Sequence, residues 1–141
     1  MKNILIINGP NLNLLGIREP GIYGSGSWEN CMAAIRKEFD NHSVDYYHSN
    51  YEGDLVQAIQ AAMSSYSGIV LNAGAFTHTS VALRDAIAAC SIPVIEVHIS
   101  NTSAREYFRQ NSLTAPVCKG VISGFGTDSY KLAIHYLINL L

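Results

Sequence analysis

Charge, cysteine and long apolar runs are all scarce in this sequence. Asp, Glu, Lys and Arg make up 14% of its 141 residues, the net charge is -2, and no Lys/Arg cluster occurs. That argues against both the footprint of a nucleic-acid binder and the basic patch of a membrane-surface protein, so neither partner is expected. Cys31, Cys90 and Cys118 are odd in number, far apart and outside any CxxC spacing. They read as reduced core thiols rather than a disulfide framework. No stretch approaches the roughly 20 apolar residues of a membrane span, and the apolar run at the start is too short for a signal peptide. A soluble, cytoplasmic protein is expected. With 48% hydrophobic residues and no linker or low-complexity run, residues 1–141 fit one domain.

What is present alternates between two periods. Lys2 to Ile7, Val44 to His48, Gly68 to Leu71, Ile92 to Ser100 and Val117 to Ile122 read as strands. Between and after them, helical spacing runs over Trp28 to Phe39 behind a Ser27 cap, from Asp54 as cap through Met63, and over Thr79 to Ala89. A short helix near Ser103 to Phe108 and a last one from Asp128 to Leu140 complete the set. Five strands alternating with five helices predict a doubly wound α/β fold with a parallel sheet in the flavodoxin-like order 2-1-3-4-5 and helices on both faces.

The fourth strand carries the chemistry. Behind Pro93 it is apolar and β-branched, as a strand buried on both faces should be, yet it ends in Glu96 and His98. A strand's period of two puts both on one face. A carboxylate beside an imidazole fixes its tautomer and readies it as a general acid, or else makes a buried ion pair for structure alone. Ligands of open α/β sheets bind beyond the carboxyl ends of the strands. There the chain also places Asn8 to Asn11, Asn72 to Ser80 with His78, and Ser100, Arg105 and Arg109.

A loop from about 8 to 26 is longer than a βα connection needs and is rich in glycine, which suits a mobile lid. It carries Arg18 and Tyr23. Ionising an ordinary tyrosine at neutral pH costs roughly 4 kcal/mol. One exposed ion pair, at about 1 kcal/mol or less, does not supply that. Arg18 together with Arg105 in a water-poor site could, whereas Tyr23 packed as a turn aromatic is the plainer alternative.

Several motifs together carry a family resemblance: Asn8-Gly-Pro-Asn-Leu-Asn-Leu-Leu-Gly16, Arg18-Glu-Pro with Tyr23-Gly24, Ser49-Asn-Tyr-Glu-Gly53, the run from Asn72 to Asp85, and Glu96-Val-His-Ile-Ser-Asn101. In this order and spacing the chain resembles the type II 3-dehydroquinate dehydratases. The resemblance implies anti-elimination of water from 3-dehydroquinate through an enolate, giving 3-dehydroshikimate in the shikimate pathway, without metal or cofactor. By that likeness Tyr23 is the base, Arg18 and Arg105 favour its ionised form, and Asn11 holds the water that stabilises the enolate oxygen. His98, oriented by Glu96, protonates the departing hydroxyl. Asn72, Ser100 and the backbone N–H groups of Ile99 and Ser100 take the substrate carboxylate, while His78 and Arg109 meet ring hydroxyls. The likeness further implies trimers assembling into a dodecamer, with Asp85 entering a neighbouring subunit's site. Read from the residues alone, Asp85 is a solvated helix position.

Other readings fit less well. His42, His48 and His135 read as surface or packing residues. A zinc site needs three or four converging ligands, and His78, Glu96 and His98 make a poor set. Lys119 is the one lysine placed for a Schiff base. A non-catalytic flavodoxin-like binding domain is the rival class, but a phosphoacceptor would show acids where this chain has Asn8, and a flavin carrier a Ser/Thr-rich loop where it has Gly9-Pro10-Asn11.

Overall fold

The computed structural model describes residues 1–15 and 27–140. Five strands form one sheet: β1 (Asn3–Asn8), β2 (Ser43–His48), β3 (Gly68–Asn72), β4 (Val94–His98) and β5 (Gly120–Ser123). Their order is β2-β1-β3-β4-β5 and every neighbouring pair is parallel, as the alternating pattern predicts. Four α-helices lie among the described residues: α1 (Trp28–Glu38), α2 (Glu52–Ala62), α3 (Val81–Ala88) and α4 (Asp128–Asn139).

The period of two sorts the strands' side chains into two cores. Ile4 and Ile6 of β1, Val70 of β3 and Ile95 and Val97 of β4 face α1 and α4, where Ile35, Tyr130 and Ile134 meet them. Leu5, Ile7, Ile69, Leu71 and Val94 face the other way, onto Leu55 and Ile59 of α2 and Leu83 and Ile87 of α3. Helices therefore cover both faces. Glu96 falls in the column of Val94, where an aliphatic side chain would gain about 1.5–3 kcal/mol by burial. A carboxylate there has to be stabilised by other means.

Local starts and stops follow the side chains. Ser27 caps α1 by accepting from the Asn30 N–H at 3.2 Å, as expected. Ser80 caps α3 by accepting from the Leu83 N–H, so that helix starts at Val81 rather than Thr79. Asp54 does not cap α2: the helix begins at Glu52, and the Asp54 carboxylate accepts from the Ser49 hydroxyl at 2.7 Å. The expected short helix near 103–108 is instead two 3-10 turns, Thr102–Ala104 and Tyr107–Arg109. Extended backbone at Arg105 separates them and turns its guanidinium toward Ser100. The last strand starts at Gly120 rather than Val117, because Ala115–Val117 is a 3-10 turn opened by Pro116, which has no N–H to give a ladder. Lys119 thus precedes the strand.

The loop after β1 is also less featureless than its composition suggests. Leu12–Leu14 is a 3-10 turn, and Leu12 is buried against the α1/α4 core. Gly9 permits this turn to lie against β3: a Cβ there would stand 2.4 Å from the Ala73 carbonyl oxygen. Arg18 and Tyr23 lie outside the described residues. Among the described residues no helix is long and apolar enough to cross a membrane.

Candidate active site

In this strand order the chain reverses direction of travel between β1 and β3, and a crevice opens beyond their carboxyl ends. It is a small cleft, open to solvent. Asn11 lines it from the loop after β1, Asn72 and His78 from β3 and the turn behind it, and His98, Ile99, Ser100, Arg105 and Arg109 from β4 and its sequel. Eight expected site residues thus share one cavity. Glu96 lies directly beneath them, and Asp85 does not belong to the group: it sits on the exposed face of α3.

Glu96 and His98 are joined as their spacing predicts. His98 Nε2 donates to Glu96 Oε2 at 2.8 Å, and the two residues are 8% and 1% exposed. A carboxylate so deep is costly unless it is fully hydrogen-bonded. Ser112 supplies its hydroxyl to both oxygens at 3.1 and 3.0 Å, and the Thr114 hydroxyl donates to Oε1. Burial alone would push Glu96 up, but the hydrogen bonds from His98, Thr114 and Ser112 and the nearby imidazole outweigh it and hold the carboxyl below its ordinary range. With Nε2 given to an anion, the ring presents Nδ1 as its free nitrogen.

His78 is fixed the other way round. Its Nδ1 donates to the Asn111 carbonyl at 2.7 Å, which leaves Nε2 for a ligand. Its ring stacks near-parallel to that of His98, centroids 6.5 Å apart. The cleft wall therefore carries two imidazoles with defined tautomers.

Asn72 and Asn8 are register partners at the ends of β3 and β1. Asn72 Oδ1 accepts from the Gly74 N–H at 3.2 Å and its Nδ2 donates to the Tyr130 hydroxyl at 2.9 Å, which donates in turn to Asn8 Oδ1 at 2.8 Å. The second hydrogen of Asn72 Nδ2 remains for an acceptor in the cleft. Asn11 adopts a left-handed φ of 70°, which asparagine tolerates, and its N–H is held by Asn50 Oδ1 at 3.0 Å. The Ser100 hydroxyl accepts from Arg105 Nη1 at 3.4 Å, so its own proton is left to donate. Arg109 gives its Nε to the Glu106 carboxylate and lies over the Phe108 ring.

Together these groups suit an anionic, hydroxylated ligand: cations, N–H and O–H donors and two imidazoles line the same cleft. Thiol chemistry has no place in it. Burial, with some help from Glu96, pushes Cys118 up to about 12, and burial also raises Cys31. Among the described residues no group of three or more His, Cys, Asp or Glu could hold a metal.

Ser112, Thr114 and Tyr130 carry this arrangement and were not singled out by the sequence. Two hydroxyl residues flanking Leu113, shortly before the last strand, form a weak signal; only the folded chain shows that they close on Glu96. Of the remaining histidines, His48 at the end of β2 has a buried Nε2 without a hydrogen-bond partner among the described residues, and the other two have structural partners. His42 Nδ1 accepts from the Lys2 N–H at 3.0 Å and His135 pairs with Glu38 at 2.9 Å, on the surface.

Comparison with known proteins gives this cleft a family. Residues 2–138 match the model of the family described as dehydroquinase class II. A 3-dehydroquinate dehydratase from a Synechococcus strain is 52% identical over 139 residues, 97% of this chain and 95% of that one. Another, from Rhizobium etli, is 54% identical over 144 residues, 99% of this chain and 97% of the relative. The crystal structure of the type II dehydroquinase from Butyrivibrio crossotus superposes with a TM-score of 0.94 at 48% identity, covering 98% of each chain. A match of that length, over a sheet of the same order and a cleft of this make-up, has one meaning: the chain belongs to the class II dehydroquinases.

Proposed function

We propose that the protein is a hydro-lyase that removes water from 3-dehydroquinate to give 3-dehydroshikimate by anti-elimination through an enolate, in the shikimate pathway of the cytoplasm. The observation that carries this is the buried Glu96–His98 pair with its free Nδ1 at the floor of a donor-lined cleft. Tyr23, as phenolate, takes the proton next to the ketone, and the electron pair moves onto the carbonyl oxygen. A water held by Asn11 stabilises that oxyanion. The enolate then collapses, the bond to the departing hydroxyl breaks, and His98, entering the cycle as the imidazolium, gives that oxygen its Nδ1 proton to make water. Tyr23 has gained one proton and His98 has lost one, so relay of a proton between them through solvent resets the site.

The remaining roles follow from donor geometry. The substrate carboxylate rests on the second Asn72 N–H, the Ser100 hydroxyl and the backbone N–H groups of Ile99 and Ser100, beside the charge of Arg105. His78, through Nε2, and Arg109, released from Glu106, bind ring hydroxyls. Arg18 and Arg105 hold Tyr23 ionised. Asp85, exposed on its own subunit, enters the site of a neighbour within trimers that build a dodecamer. The chemistry calls on no cofactor or metal.

The test is ultraviolet absorbance of the conjugated enone, with purified protein and 3-dehydroquinate in metal-free buffer. Tyr23→Phe is expected to abolish turnover while ligand affinity stays close to wild type. Wild-type-like activity in that variant would contradict the assigned base.

A further inference from the structure

A carboxylate that is 1% exposed and has no lysine or arginine against it among the described residues needs another source of negative-charge stabilisation. We propose that Ser112 and Thr114 are positioning residues for the elimination: their hydroxyls keep Glu96 an anion and thereby fix the tautomer and pose of His98. This rests on the reading of His98 as the acid.

The direction of each proton decides the matter. Ser112 Oγ accepts the backbone N–H groups of Thr114 at 3.2 Å and Ala115 at 2.9 Å. Its lone pairs are then occupied, and its single proton is directed at Glu96, 3.1 and 3.0 Å from the two oxygens. Thr114, fully buried, gives its proton to Oε1, and His98 gives its own to Oε2. Three donors thus converge on two oxygens. A protonated carboxyl would have to turn its O–H against one of them.

Neutral donors suit this position better than a cation would. A guanidinium on Glu96 would cancel the charge that favours the imidazolium, whereas hydroxyls stabilise the anion and leave its field on the ring intact. The other ionisable groups facing the pair are the Cys118 thiol, pushed up to about 12 by burial, the His78 ring, stacked 6.5 Å from that of His98, and the guanidinium groups of Arg105 and Arg109, which line the cleft with His98. Glu96 takes its hydrogen bonds from His98 and the two hydroxyls rather than from these. The segment bearing the hydroxyls is itself tied down. The Leu113 N–H donates to the Thr77 carbonyl at 2.8 Å, its carbonyl accepts from Arg84 Nη1 at 3.1 Å, and the adjoining Asn111 carbonyl holds His78. One short segment therefore sets both imidazoles.

The experiment compares Ser112→Ala, Thr114→Val and the double variant with Thr114→Ser, which keeps the hydroxyl. Losing a donor makes the Glu96 anion less favourable, so the acid limb of the kcat profile should move to higher pH, by about one unit per hydroxyl lost. KM should change by less than about twofold, and Thr114→Ser should restore the wild-type profile. In parallel, 13C-glutamate and 15N-histidine labelling reads the Glu96 titration midpoint and the His98 tautomer without turnover, so the result stands whatever the substrate proves to be. The midpoint should rise, and the His98 signals should move toward mixed tautomers. A Glu96 midpoint and His98 tautomer unchanged in folded Thr114→Val would overturn the proposal. So would a loss of activity in that isosteric variant with no displacement of the pH profile.

Discussion

Tyr130, on α4, holds the side-chain amide of Asn72 from 58 positions further along the chain, hydroxyl to Nδ2 at 2.9 Å. The same hydroxyl donates to Asn8 Oδ1, so one phenol sets which way the amides of two neighbouring strand ends face. Burial pushes this phenol well above the usual tyrosine range, and it stays a neutral donor at any working pH. The fold therefore uses one tyrosine as a permanent donor, while the proposed mechanism needs another, Tyr23, as an anion.

Tyr130→Phe removes that donor and leaves two buried polar atoms short of a partner. The expected cost is about 1–3 kcal/mol in urea unfolding. Freed to turn, the Asn72 amide should bind the substrate carboxylate less well, so KM should rise more than kcat falls. A variant with wild-type KM would show that the Asn72 amide does not contact the substrate.

Stability should also depend on acid through Glu96. Its carboxyl is held below the ordinary range in the folded protein, so it binds a proton more readily when unfolded. It therefore contributes stability above the ordinary carboxylate pKa of about 4.3, and that contribution is lost as pH falls through the lower folded value. Urea midpoints measured from neutral pH downward should fall more steeply for wild type than for Glu96→Gln. Parallel curves would mean that the folded and unfolded states bind the Glu96 proton alike.

Much of this was legible from residue order because the relevant signals are local. Strand and helix periods gave the alternating elements, the count of five strands in 141 residues suggested the sheet order, and period two on a central strand brought Glu96 and His98 to one face. Ser112 and Thr114 were not legible: they meet Glu96 across 16 and 18 positions, through a turn whose path depends on Pro116 and on contacts with Thr77 and Arg84. The short helix near 103–108 failed for a related reason. So few residues of helical spacing cannot hold a helix against the demand that Arg105 reach Ser100.

Asp85 tests the assembly. It lies on the exposed face of α3 and outside the cleft of its own chain. Light scattering should give the mass of a dodecamer, and Asp85→Ala should lower kcat/KM by about tenfold without changing that mass. A fully active single chain in solution would remove Asp85 from the site.

The most direct test concerns the free nitrogen of His98. Enone formation from 3-dehydroquinate, followed by ultraviolet absorbance in metal-free buffer, should be rapid for wild type and about 10²–10⁴-fold slower for His98→Asn, the span expected when a general acid is lost. No enone from the wild-type protein, or equal rates from the two, would contradict elimination driven by the Glu96–His98 pair.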